Sequence, residues 1–289
     1  MQEKISVSTV DGINLSEVSF RKAPFIDVVI ATTLKDLKIA RRYMPNLLGD
    51  IIQIVIRILF FLLFSNFAVY TGPTTLTGNE LFIFFLGAIL LWVFSNTALT
   101  APLNSVTSDL YNGTLEYLYS NPISRYAYYV GTVCAKAITN LAIFIPAFIF
   151  MIFYSGASLA DTVNVFLVCL TALITLIAMG IVISLLGLLW RQVGSIVGVL
   201  FIFFEFLAGA YFPVGQYPKA IQYFAYALPH TWGYDLIRYY SLKNNWDTLA
   251  PVSVEWIILG AFALIYTMIS LILLNKVEKL SKKQGLNLI

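Results

Sequence analysis

The chain has 289 residues, of which 59% are hydrophobic and only 11% charged, whereas a soluble domain carries roughly 25% charged residues. It cannot cover itself with polar surface, so the expected class is a polytopic membrane protein. The net charge of +3 is too small to suggest a nucleic-acid partner. A single histidine, His230, and two cysteines inside apolar runs, Cys134 and Cys169, offer no metal-ligand spacing and no disulfide framework.

Residues 1–22 are polar and mixed, and read as a cytoplasmic tail; no basic-then-apolar leader opens the chain. Over 23–48, Ile26, Ile30, Leu34, Leu37, Met44 and Leu48 recur at helical spacing, with Lys35, Lys38 and Arg42 on another face. That pattern predicts an amphipathic helix lying in the membrane interface, cationic side toward the headgroups.

Residues 49–276 then hold six apolar runs, at 51–70, 81–108, 126–154, 164–190, 193–211 and 257–275. A crossing helix needs about 20 residues. Arg57, a turn or two into the first run, is expected to snorkel to the cytoplasmic interface. The third run carries Pro146, an expected kink site. Residues 277–289 close the chain as a basic tail. Lys and Arg crowd the residues before the first run and follow the last at Lys276, Lys279, Lys282 and Lys283, while the loops at 71–80 and 155–161 have none. The positive-inside rule places both termini in the cytoplasm, which requires an even number of crossings.

Between the second and third runs, SDLYNGTLEYLYSNPISRYAYYVG is longer and more patterned than a turn needs. Asp109 and Asn112 are expected to cap a short helix, and Asn121-Pro122 to stop it. Gly113 to Ser120 then forms an amphipathic cytoplasmic helix, with Leu115, Tyr117 and Leu118 filling the apolar floor of a partner's groove and Glu116 pairing with a basic residue there. Between the fifth and sixth runs, residues 209–240 are too broken by Pro213, Pro218 and Pro229 to span, yet too aromatic for an ordinary loop. Two short amphipathic helices folded into the outer interface are expected. Glu205, deep in an apolar run, is a candidate for the transport route with Gly209, Tyr211, Phe212 and Pro213. His230 is expected at the interface, and Asp235 with Arg238 as a helix-surface pair.

Two stretches carry a family resemblance. Asn112-Gly-Thr-Leu-Glu-Tyr-Leu with Asn121-Pro-Ile-Ser-Arg125 resembles the coupling-helix sequence of type-2 ABC exporter permeases, and Gly209-Ala-Tyr-Phe-Pro213 with Pro218, Pro229 and Arg238 is similar to their re-entrant outer segment. The resemblance implies an all-α integral membrane protein with six transmembrane helices, an N-terminal interfacial helix, a cytoplasmic coupling helix and a re-entrant outer segment between spans five and six. It implies a plasma (inner) membrane location, a second permease copy or close relative, and two copies of an ABC ATPase. The ATPase would dock on Gly113, Thr114, Leu115, Glu116, Tyr117, Leu118, Pro122 and Arg125.

The chain itself contains no G-x-x-x-x-G-K-[ST] phosphate loop. No cofactor is therefore expected in it, and ATP and Mg are expected in the partner. The substrate class implied is a drug, antibiotic or lipid moved outward, with a lipid-linked polysaccharide as the alternative. A secondary transporter or channel should show internal repeats and several intramembrane ionisable groups. An integral-membrane enzyme should cluster acid, base and nucleophile at one depth. Neither pattern is visible.

Overall fold

A helix that is apolar on every face must be covered on every face. The second apolar run is such a helix, and the rest of the molecule is arranged round it. The computed structural model describes residues 9–10, 13–14, 23–71, 75–121, 123–189, 194–243 and 245–284. Among them the chain forms α1 (Phe25–Arg42), α2 (Met44–Phe67), α3 (Asn79–Tyr111), α4 (Leu115–Ser120), α5 (Arg125–Ser155), α6 (Leu159–Leu189), α7 (Gly194–Leu207), α8 (Lys219–Tyr226), α9 (Pro229–Ser241) and α10 (Val252–Gln284). Two small antiparallel pairs, Thr9–Val10 with Ile13–Asn14 and Val69–Tyr70 with Leu76–Thr77, are the strands described. Most of 1–22, and residues 285–289 of the expected basic tail, lie outside the described residues; α10 carries the helix on to Gln284.

α3 is buried almost continuously from Leu81 to Leu99 and opens toward its C-terminal turns; it packs against α5 and α6 above all, then α9 and α2. Its closest approach is to α6. A methyl group built on Gly180 would overlap Ala98 O and lie 2.9 Å from the Ala98 carbonyl carbon and 3.1 Å from Leu99 Cα. Only a residue without Cβ lets the two backbones come this close.

Among the described residues, five helices are long and apolar enough to cross a membrane: the Leu48–Phe67 part of α2, then α3, α5, α6 up to Ser184 and α10 as far as Lys276. At the expected fifth span, α7 has 14 residues, about 21 Å at 1.5 Å per residue, against about 30 Å of hydrocarbon. Residues 190–193, which precede it, lie outside the described set.

Several expectations change. The single helix anticipated over 23–48 breaks at Tyr43 (φ −107°, ψ 43°), and α2 begins at Met44 with Pro45 in its first turn, where a missing N–H leaves no bond unmade. α1 packs along α5, close enough that a Cβ on Gly131 would meet Val29 O at 2.9 Å. Its outer face keeps Ile26, Ile30 and Leu34 exposed. Arg57 does not snorkel: its guanidinium lies 4.0 Å from the Trp92 ring centre, and Trp92 belongs to the middle of α3, where a cation–π contact replaces water.

The re-entrant segment forms two helices, but α9 leaves the interface for the interior. Nearly every residue of Pro229–Ser241 is buried. Arg238 donates to Gly209 O at 2.6 Å and Ala210 O at 3.0 Å and lies 3.7 Å from the Phe84 ring centre. Asp235 accepts from Trp246 Nε1 at 2.7 Å and Leu249 N at 2.8 Å. The pair expected on a helix surface is instead two separate buried clamps.

Candidate functional site

α3 ends in a tight turn that turns the chain into α4. Gly113 takes φ +68°, a left-handed conformation that glycine adopts without strain. Asp109 does not cap α4. It lies within the last turn of α3, where its Oδ1 accepts from Thr114 Oγ1 at 2.9 Å and its backbone oxygen from Thr114 N at 2.9 Å. Asn112 is the C-cap of α3, and Thr114 precedes α4 without a side-chain cap. As Asn121-Pro122 predicts, α4 stops at Ser120, with Asn121 extended at ψ 144° and its Nδ2 donating to Tyr117 O at 2.7 Å.

The second oxygen of Asp109 fastens this turn to the bundle. Tyr128 OH, on α5, donates to Asp109 Oδ2. Its hydrogen being committed, the Tyr128 oxygen accepts from Ser105 Oγ at 2.7 Å and from Lys35 Nζ at 3.4 Å. One tyrosine thus joins α1, α3 and the approach to α4. Lys35 also pairs with Asp36 at 3.2 Å. Burial raises the Asp36 pKa above the ordinary carboxylate value, with Lys35 pulling the other way.

α4 itself is two-faced. Tyr117 is 72% exposed, while Leu118 is turned inward with Val106, Tyr128, Tyr129, Ile181 and Leu274. Leu118 therefore anchors α4 in its own bundle instead of offering a surface outward. Arg125 is buried as well, donating to Ile123 O at 3.0 Å. Gly113 and Thr114 are exposed. The side chains of Leu115 and Glu116, and Pro122 altogether, lie outside the described residues.

Above α4 opens a cleft lined mainly by polar residues. Its outer part, about 680 Å³, lies between α1, α2, α3 and α5; an inner part of about 270 Å³ continues it, and the two share Asp50, Thr100, Asn104 and Lys136. Lys136 Nζ and Asp50 Oδ2 pair at 3.0 Å across it. On α3 the cleft is bordered by Asn96, Thr100, Asn104 and Ser108, a four-residue repeat that keeps them on one face. Exposure grows along that repeat toward α4. The repeat stands in the sequence, but the surrounding apolar residues mask it in any averaged hydropathy.

Glu205 sits elsewhere, in a closed polar knot. Tyr234 OH donates to its Oε2 and Ser95 Oγ to its Oε1 at 2.9 Å. Ser95 Oγ, its hydrogen used, accepts from His230 Nε2 at 2.7 Å, which assigns that tautomer from the network. His230 is fully buried, not interfacial. Serine, histidine and carboxylate here do not form a nucleophilic relay: Glu205 Oε1 lies 3.9 Å from Nε2, on the serine side of the ring, where a relay places the acid on the other nitrogen. The knot joins α3, α7 and α9. Of the other candidate route residues, Gly209 (φ +87°) gives its carbonyl to Arg238, Tyr211 is half-buried near Phe61, Phe212 is exposed and Pro213 is buried. None of the five borders the cleft.

Comparison with curated proteins finds no match. A family model described as "ABC-2 type transporter" matches residues 29–242, from α1 through the end of α9. With well over half its length matched, a multi-pass helical core and a short helix at the base of α3, the chain belongs to the ABC-2 type transporter family, as a non-catalytic transmembrane permease of the kind that works with ABC ATPase subunits.

Proposed function

We propose that this permease exports a hydrophobic or amphipathic substrate, a drug, antibiotic or lipid, with α4 as the surface on which a separate ATPase docks. The observation that carries this reading is the attachment of α4. Its Leu118 is sunk in the bundle, its Tyr117 faces out, and the Asp109–Tyr128 bond ties its root to α3 and α5. A push on such a helix reaches the central helix without slack. Two ATPase copies, carrying ATP and Mg, act on a pair of permeases, this chain with a second copy or a close relative. The apolar faces of α2 and α10 left open in one chain suit lipid and that partner.

Six crossings in the plasma (inner) membrane, with both termini cytoplasmic, fit this arrangement. α6 reaches the α4 end of the bundle through Ile181, while Gln216 Nε2 donates at 3.1 Å to Thr71 O in the loop between α2 and α3. A sixth crossing would take the chain from α6 to Gln216 along α3, with the 14 residues of α7 covering about 21 Å of that course.

The test is reconstitution of the chain with its ATPase in liposomes, following ATP-driven movement of a fluorescent amphiphile. Glu116→Ala is expected to leave ATP hydrolysis running while export falls. Full transport by the purified chain without any ATPase would overturn the reading.

A further inference from the structure

The cleft holds more polarity than the docking of α4 requires. Facing the α3 repeat across it, Thr132, Lys136 and Asn140 recur at four-residue spacing on α5. Polar stripes of this kind are costly against lipid and mark a route for something polar.

Asn140 adds an independent observation. Thr97 commits its hydroxyl hydrogen to Val93 O at 2.7 Å, so Thr97 Oγ1 accepts from Asn140 Nδ2 at 2.5 Å. The amide orientation is thereby fixed by its neighbours. Asn140 Oδ1 is left as a buried acceptor with no partner among the described residues, on a side chain 5% exposed that borders the inner cleft. Buried acceptors of this kind call for a donor. One turn toward α4, the Lys136–Asp50 pair presents a cation and an anion together, both partly exposed.

We infer, resting on the permease reading above, that this cleft receives the polar head of a bilayer amphiphile that carries a primary ammonium beside an anionic group. A purely anionic head would take Lys136 and strand Asp50, and a purely cationic head would do the reverse. A head of both signs exchanges one pair for two. A quaternary ammonium supplies the charge but no N–H for Asn140 Oδ1, so the donor-bearing cation is preferred. Ile54, Trp92 and Ile143 on the inner wall receive the start of the alkyl chain.

The experiment uses the full chain with its ATPase in liposomes of anionic lipid lacking any ammonium. Two single-chain probes, an alkyl phosphoethanolamine and an alkyl phosphocholine, carry a diazirine on the chain, and labelled peptides are mapped by mass spectrometry. The phosphoethanolamine probe should label peptides covering 92–108 and 132–143 saturably, and bind about tenfold tighter than the phosphocholine probe, as one hydrogen bond to a charged group provides. Asn140→Leu should abolish that preference. Asn104→Leu, on the exposed wall and harmless to packing, should weaken both probes alike.

Equal affinities in the unmodified protein, or labelling confined to the outer faces of α2 and α10, would overturn the assignment. ATP-driven transport measured on the same preparation separates the two ideas. Transport without cleft labelling sinks the cleft assignment alone, whereas cleft labelling without ATP-driven transport sinks the permease reading alone.

Discussion

Gly180→Ala tests the central packing most directly. The added methyl would overlap Ala98 O and stand 2.9 Å from the Ala98 carbonyl carbon, where carbon–carbon contacts optimally span about 3.5–4.0 Å. Both obstacles are backbone, so no side-chain rotation relieves them. α3 and α6 must separate by at least about 0.6 Å, and a gap of roughly 0.5–1 Å forfeits a quarter to a half of each dispersion contact. Overpacking of this kind costs about 1–3 kcal/mol. Placed at the upper end because backbone is struck, the loss becomes a fall in Tm of about 6–12 °C, at roughly 2–4 °C per kcal/mol for a chain somewhat smaller than this one. The assay is thermal unfolding in detergent, with Gly198→Ala as the control. Nothing lies within 4 Å of a Cβ there, and helix propensity should make that change neutral or stabilising by up to about 1 kcal/mol. A Gly180→Ala protein melting within about 2 °C of the parent would refute the close crossing, because even 1 kcal/mol should move Tm that far.

The two faces of α4 should separate in the same assay. Leu118→Ala is expected to lose about 2–4 kcal/mol of stability, whereas Tyr117→Ala should change it by less than about 0.5 kcal/mol while reducing ATPase-coupled transport. Glu205→Ala leaves two buried donors, Ser95 and Tyr234, without their acceptor and should cost about 2–4 kcal/mol. Glu205→Gln keeps the volume and one acceptor oxygen and should lose clearly less, so equal losses would show that the knot contributes through shape alone. Asp36→Asn tests the raised carboxyl on α1. An acid whose folded pKa lies above its unfolded value destabilises once ionised, fully above the folded pKa and not at all below the unfolded one. With Lys35 and Asp109 nearby, the variant's Tm should gain on the parent as pH rises from 3.5 through the carboxylate range, and a gap independent of pH would count against the assignment.

The apolar runs were legible because crossing length is a local property. The limits of α3, α5 and α6 follow from run length, and the end of α4 from Asn121-Pro122. The interior position of α9 was not. Histidine, tryptophan, tyrosine, aspartate and arginine together look like interface chemistry, and only partners far off in the chain reverse that: Ser95 for His230, Trp246 for Asp235, and the Gly209 and Ala210 carbonyls for Arg238. Arg57 misled for the same reason, since Trp92 lies on a different helix. Leu118 was assigned to a partner because a six-residue amphipathic helix does not announce which of its faces is already occupied. The cleft went unseen because its residues come from four helices, though the Asn96–Ser108 repeat was there to be counted.

α3 is unbroken over 33 residues, about 50 Å, and is squeezed hardest at Ala98, not far from its midpoint. Pro102 lies inside the same helix and has no N–H to donate to Ala98 O, so the place where α3 is held most tightly is also the place where it bends most easily. A load applied at the α4 end of such a helix reaches its far end only through that clamped joint.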